Sequence, residues 1–484
     1  MVKCVLLFYL LTLLPLQLVA EDGFWQRGCR RGKRPVPMRT HRAADVSQRI
    51  GGDFYHGERR QLVILVSFSD LQFTDSDPVT AWNRIFNEPN YNEAPFYGSI
   101  HDYFLAQSNG IFSLSFDLIR ISLNESVVKY RSTGSDGDDE NSQYLVNDVV
   151  DSLLKRNVDW SQYDWNGDGY VNQIIIIYPG YGQNDGGGKN SIWPHQYWLT
   201  WHQKDRQAGV YCEPRQVSSG DETYLINSYC ALQEYANHQI YGSFGTICHE
   251  YSHCFGFPDF YGPSSGTPRK WELMDYGNYN GNGFCPPNYS AHERWLMEWD
   301  TPTELTATTT VTSMNTSQSY LIRNDGHADE YYIVENRQQT GWDQGLPSSG
   351  LVVFHIDYDE DVWINDYPNT NSKKRYSIIP ANNNLAFSNQ NGWAYPYEDN
   401  DSLTNTSKPA ATLFNFNTDS TMLMNKSLYD MRVNDGLASF RFVVNQPTAI
   451  REMTDSRHYR VLYDLGPIYI IRCTNGEIKK VMKH

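Results

Sequence analysis

The stretch His249-Glu250-Tyr251-Ser252-His253-Cys254-Phe255-Gly256-Phe257-Pro258-Asp259 decides how this chain is read. On an α-helix, residues four apart share a face, so His249 and His253 turn two imidazoles toward one point while Glu250 projects beside them. Gly256 can take the left-handed backbone that ends a helix, and Pro258 cannot continue one. The chain is therefore expected to turn back and bring Asp259 to the same point. Two histidines, one carboxylate and a fourth, open position suit a catalytic zinc ion. A pair of helical histidines can also be ordinary core, and a bare His-Glu-x-x-His is only a lead. Gly256 and Asp259 at fixed spacing make the metal reading specific.

Just downstream lies Trp271-Glu272-Leu273-Met274-Asp275-Tyr276-Gly277. A methionine turn beneath a metal is the metzincin arrangement, with the thioether as floor rather than ligand. Taken alone, Met274 is ordinary core. Tyr276, two residues on, is a candidate to stabilise a developing oxyanion. Glu272 is the rival third ligand to Asp259, in the manner of thermolysin-like sites. Glu250 is the expected proton carrier: it takes a proton from the attacking water and hands it to the leaving amine. The chemistry these residues suit is hydrolysis of peptide bonds.

Around this helix the pattern is that of a sheet. Leu62 to Phe68 and Gln173 to Tyr178 are short apolar runs rich in β-branched residues, with four consecutive isoleucines at Ile174 to Ile177. Such runs suit strands covered on both faces. A helix carrying His101-Asp102-Tyr103-Phe104 is expected between them, then strands around Phe112 to Ile121. The active-site helix should start near Ser243. After Asp300 a threonine-rich stretch and strand-like runs at Tyr331 to Glu335, Leu351 to Ile356 and Ala438 to Val444 indicate a mostly β region. The expected fold is α+β. It comprises a zincin-like catalytic domain over 61–300, with a mixed sheet plus active-site helix, and a mostly β domain over 301–445. Residues 446–484 form a tail.

The whole chain of 484 residues carries a net charge of −16, which argues against nucleic acid and anionic membrane as partners. Lys3, an apolar run from Cys4 to Leu16 and Ala20 before Glu21 read as a secretory signal peptide over 1–20 rather than a membrane anchor. The expected location is outside the cell or on its surface. Residues 21–60 are basic and rich in Arg, Gly and Pro, as in a cleavable propeptide or linker, so a zymogen is expected. Of eight cysteines, Cys4 falls in the leader and leaves an odd number. Cys212 with Cys230 is the favoured disulfide, since both fall in a polar, loop-rich stretch. Cys29 could cover an open zinc position as a latency device, although a free or disulfide-bonded role is the plainer reading.

Asp164-Trp165-Asn166-Gly167-Asp168-Gly169 sets oxygen side chains at alternate positions before a glycine, the opening of a calcium loop. Asp164, Asn166 and Asp168 are the candidate ligands. Ile175 stands where a complete loop of that kind would carry its bidentate glutamate, and an Asx-rich turn is the alternative.

Taken together, these pieces resemble the immune inhibitor A family of secreted bacterial metallopeptidases. The shared pieces run from Leu62 to about Phe442. They include His101 to Phe104, Gln107-Ser108-Asn109-Gly110, Asp164 to Gly169, Ile192-Trp193-Pro194-His195, His249 to Tyr261, Trp271 to Gly277, Glu335-Asn336-Arg337 and Gly350 to Asp357. The resemblance implies zinc, calcium and broad proteolysis of extracellular proteins, with protein or peptide substrates as partners. Tyr251 and Cys254 fill variable positions of the motif. The C-terminal pattern Tyr459 to Gly466, Ile468 to Arg472 and Lys479 to Lys483 resembles a sorting domain of the type IX secretion route, which would make secretion machinery a partner. Two rival functions remain at this level. One is a surface adhesin or glycan-binding protein on a zincin scaffold, suggested by the many Trp and Tyr residues of the β-rich half. The other is a metalloenzyme acting on something other than peptides. The intact Glu250 speaks against the first.

Overall fold

The computed structural model describes residues 55–131, 141–205, 210–262, 265–365, 368–370 and 373–444, together with the backbone of strands at 459–464, 468–473 and 478–482. The expected leader, most of the 21–60 segment and Cys29 lie outside the described residues.

The first apolar run is a strand, β1 (Gly57–Ser67), which starts earlier than Leu62 because its polar first half continues the pairing, with Arg60 bridging Asp117 on the neighbouring strand. It pairs in parallel with β2 (Phe112–Ser122) on one side and with β3 (Ile174–Tyr181) on the other, Leu62 to Leu65 facing Ile174 to Ile177. All four isoleucines are fully buried, and each contributes about 2 kcal/mol from removing its side chain from water. Beyond β3 lies parallel β5 (Ser228–Ala236), flanked by two antiparallel edge segments, β4 (His195–Trp198) and β6 (Gln239–Ile240). This is the mixed sheet anticipated from the isoleucine run.

Helices cover it on both faces. Helix α1 (Pro78–Asn87) is capped by Asp77. The helix predicted around His101 is α2 (Ile100–Gln107), closed by a reciprocal Ser99–Asp102 capping box. On the opposite face, α3 (Ser142–Leu153) packs Leu145, Val146, Val149 and Val150 against Leu62, Ile64, Ile174 and Ile176. The active-site helix, α4 (Phe244–Ser252), is preceded by Ser243 and buried at every position. Gly245 is required there: a Cβ would lie 2.0 Å from the Asn278 carbonyl oxygen, so the turn after Gly277 could not pack so closely on the helix.

The second half is β-rich as expected. Strands β7 (Thr303–Glu304), β9 (Ser319–Asn324), β10 (His327–Arg337), β11 (Gly350–Asp357) and β12 (Tyr376–Ile378) form one sheet. Strand β8 (Thr309–Met314) joins β13 (Lys426–Asn434) and β14 (Leu437–Val444) in another. One face of the larger sheet encloses its own core, while the other merges with the core of the first half. Phe260 lies 4.1 Å from Tyr376 between ring centroids, and Phe244 stacks on Trp342. A buried polar clamp reinforces this junction: Glu335 accepts from the Ala291 N–H at the start of α5 (Ala291–Leu296), and Arg337 is bidentate to Asp343. The segments at 459–464, 468–473 and 478–482 pair as a three-stranded antiparallel sheet, one strand more than the two expected.

Within the β half, buried Glu330 accepts from His355 Nε2 at 2.8 Å, from Asn324 and from the backbone N–H groups of Phe414 and Asn415. Burial alone would raise its pKa, but these donors outweigh it and hold the carboxylate down at about 2, against an ordinary 4.5. A carboxylate with a depressed folded pKa contributes stability that is complete above pH 4.5 and is lost as pH falls toward 2. Urea unfolding is therefore expected to show a drop on the order of 2 kcal/mol from this group between pH 5 and pH 3. The drop should be absent from Glu330→Gln, and an equally steep acid limb in that variant would contradict it.

Candidate metal centre

The geometry begins at the end of α4. The helix gives way to a tighter turn over His253–Phe255, and Gly256 takes φ +93°, the left-handed conformation expected of it. The chain reverses, and Asp259 comes back under the helix. Its Oδ1 lies 3.2 Å from His249 Nε2 and 3.4 Å from His253 Nε2, and one ligand atom of each residue falls within 4.8 Å of the others. All three side chains are buried, Asp259 being 6% exposed. Among the described residues this is the one grouping of three or more His, Cys, Asp and Glu side chains with metal-ligating spacing.

The chemistry of the donor set fits a metal ion. His249 Nδ1 faces the Leu273 carbonyl at 2.9 Å and His253 Nδ1 faces the Phe257 carbonyl at 2.8 Å. A carbonyl only accepts, so each Nδ1 carries a proton and each Nε2 is the nitrogen turned to the shared point, where in the neutral ring it would offer its lone pair to an ion. Neither Nε2 has a hydrogen-bond partner despite its burial. Burial disfavours a charged imidazole, yet the carboxylates of Asp259 and Glu250 overcome this and lift His249 to about 9. Asp259 is held well below the usual range: burial pushes it up, and the two imidazoles more than reverse that. The point between these atoms thus favours positive charge.

Glu250 stands beside it. Its Oε2 accepts the backbone N–H of Gln196 on edge strand β4 at 2.9 Å, and its Oε1 is buried with no hydrogen-bond partner. Strand β4 is itself anchored through His195, whose Nδ1 donates to the Trp193 carbonyl and whose Nε2 meets the Tyr229 hydroxyl. The Trp271–Gly277 segment reaches the site through the Leu273 carbonyl. Leu273 orients His249, Met274 is fully buried, and the Met274 carbonyl accepts from Phe260 N–H, tying this segment to the one that carries Asp259. Glu272 is not in the cluster. It is buried, and its carboxyl is pushed well above the usual range by burial and then by the nearby Glu293. Tyr276 packs its ring against Arg269 at 5.2 Å and Phe387 at 5.6 Å.

Three features escaped the sequence reading: the Leu273 and Phe257 carbonyls and the Gln196 N–H. All are backbone groups, and no residue type announces them. The Asp164 loop closes on itself: Asp164 accepts from the N–H groups of Gly167, Asp168 and Gly169, Asp168 accepts from Tyr170 N–H, and Asn166 donates to Asp168. Its oxygens serve as local backbone acceptors, as the Asx-turn alternative expects. The expected Cys212–Cys230 disulfide does not form, because Cys230 sits fully buried on a central strand, its sulfur against the Glu250 carbonyl and Gln173 Oε1.

A sheet, a buried His-Glu-x-x-His helix and a returning aspartate together describe a metallopeptidase class of site. The catalytic-domain model of the immune inhibitor A peptidase M6 family matches residues 55–300, and the chain belongs to that family. Immune inhibitor A of Bacillus thuringiensis subsp. alesti is 26% identical over 292 residues, covering 50% of this chain and 40% of that protein, so the chain spans less than half the length of this relative. Among solved structures, wild-type OgpA from Akkermansia muciniphila aligns at 10% identity over 60% of this chain and 75% of its own, with a TM-score of 0.29. The catalytically inactive OgpA in complex with an O-glycopeptide aligns with a TM-score of 0.26, at 10% identity over the same shares. Scores this low carry no argument. The matched family is one of peptidases, and the donor set gathered here is one that suits a metal. No helix among the described residues is long and apolar enough to cross a membrane.

Proposed function

We propose that this chain is a secreted zinc-dependent endopeptidase that hydrolyses peptide bonds of extracellular proteins. The observation that carries the reading is the convergence of His249 Nε2, His253 Nε2 and Asp259 Oδ1 on one buried point, with both imidazole tautomers set by backbone carbonyls. These three side chains would hold the ion. When bound, zinc supplies Lewis-acid polarisation of the scissile carbonyl and an acidified nucleophilic water. Glu250 is placed to do the proton work. The Gln196 N–H holds Oε2, which leaves Oε1 to take the proton of the attacking water and return it to the departing amine nitrogen. Incubating the purified chain with casein or gelatin, with and without a zinc chelator, tests the reading. Cleavage that persists after chelation, or no cleavage of any protein by a zinc-loaded chain, overturns it.

Tyr276 is assigned the oxyanion role in this scheme, supported by its position two residues after Met274 and by a ring held against Arg269 and Phe387. Tyr276→Phe is expected to lower kcat by about 10²-fold with little change in KM. Unchanged peptide turnover would remove the role.

A further inference from the structure

We propose that the Tyr229 hydroxyl is a positioning group for Glu250, acting through His195 and the peptide unit that carries the Gln196 N–H. The assignment rests on the peptidase reading of the site and names a residue outside the metal cluster on which Glu250 depends. Glu250 Oε2 is held by the Gln196 N–H at 2.9 Å. That N–H lies in the rigid peptide plane joining His195 to Gln196, so whatever fixes His195 aims it. The strand pairing alone gives little hold: β4 is an edge segment paired with β5 only from His195 opposite Ala231 to Trp198 opposite Ser228. The ring of His195 adds the rest. Its Nδ1 lies 2.7 Å from the Trp193 carbonyl and its Nε2 lies 3.0 Å from the Tyr229 hydroxyl. The same hydroxyl lies 2.7 Å from Nε2 of His202, just beyond β4, and 2.8 Å from Ser142 Oγ at the start of α3. All four side chains are buried.

The hydrogen-bonding sense of this hub follows from its members. With Nδ1 donating to a carbonyl, the neutral His195 ring can only accept at Nε2, so the Tyr229 hydroxyl donates there. A hydroxyl has one proton, and the bond to His202 therefore runs the other way, from Nε2–H to the phenol oxygen. Burial, reinforced by His195, lowers His202 to about 3, which favours the neutral ring this pattern needs. One phenol oxygen thus ties the start of β4, the chain just past its end and a helix on the face of the sheet opposite α4. Phenylalanine at 229 keeps the ring and removes the tie. It takes from two buried imidazoles their shared partner, and the freed His195 ring lets the peptide unit before Gln196 turn, so Glu250 loses its aim. The proposed metal ligands lie on α4 and the returning chain, and their hold on zinc should not change.

The test compares the full parent chain with Tyr229→Phe by casein hydrolysis, zinc content and hydrogen exchange of the peptide spanning Gln196. The expected result is a kcat lower by about 10- to 100-fold with KM and zinc content unchanged. Exchange at Gln196 should be faster by about 10-fold. His195→Leu breaks the same contact from the strand side and carries the same expectations should Tyr229→Phe fail to fold. The double variant should lose no more than the more damaging single change, since both cut one link. Val149→Ala, which opens a cavity where α3 packs on the same core, is the stability control: its thermal midpoint should fall while kcat holds. Losses that add in the double variant, an equal fall of kcat in Val149→Ala, or kcat and exchange both unmoved in Tyr229→Phe would overturn the role. A parent chain that cleaves no protein refutes the peptidase reading instead. Faster exchange in Tyr229→Phe would then still show Tyr229 fixing the strand, and unaltered exchange would refute that too.

Discussion

Replacing Glu250 with alanine is expected to lower casein turnover by about 10³-fold while zinc content stays that of the parent chain. The two carboxylate oxygens have divided tasks. Oε2 is engaged by the Gln196 N–H at 2.9 Å, and Oε1 is buried with no hydrogen-bond partner. Alanine removes the proton carrier and also strands the Gln196 N–H in a buried position, which costs about 1–3 kcal/mol of stability. Glu250→Gln separates these effects. The amide keeps an acceptor for Gln196 and nearly the same volume, so its thermal midpoint should stay close to that of the parent chain, while turnover falls as far as in the alanine variant because an amide is no base. Turnover that survives in both variants, with metal content intact, would sink the proton-carrier role.

The second large effect is expected at the metal itself. Asp259→Ala should weaken zinc binding by more than about 100-fold and lose activity in proportion, whereas Glu272→Gln should retain zinc. Asp259 Oδ1 is 3.2 and 3.4 Å from the two imidazole nitrogens and is kept ionised by them. Glu272 has the opposite environment. Its carboxyl is raised well above its usual range by burial and by Glu293, surroundings that disfavour the charged form and suit a cation poorly. Metal content measured after dialysis against chelators of graded strength distinguishes the two. Zinc retained by Asp259→Ala and lost from Glu272→Gln would reverse the assignment.

How far the site could be read in advance depended on what kind of group did the work. Side chains four apart on a helix must share a face, so His249, Glu250 and His253 were legible from spacing alone. Gly256 was legible because few other residues take φ +93° without strain. Asp259 and Glu272 could not be separated by spacing, since both lie downstream at reachable distances. Packing separates them: one is drawn to two imidazoles, the other into a carboxyl pair. The Cys212–Cys230 expectation failed for a related reason. Polarity of the surrounding sequence says nothing about which strand is central, and β5 carries Cys230 into the core against the Glu250 carbonyl.

By itself, then, the sequence determined the mixed α+β class, the buried isoleucine strand, the β-rich second half and the helix bearing the two histidines and the glutamate. Local periodicity and backbone sterics are enough to specify each of these. Only the tertiary structure decided which carboxylate joins the histidines, which carbonyls orient their rings and which N–H holds Glu250. These are meetings between segments far apart in the chain, several of them through backbone groups common to every residue, and they exist only once the sheet and the reversing chain have brought those segments together.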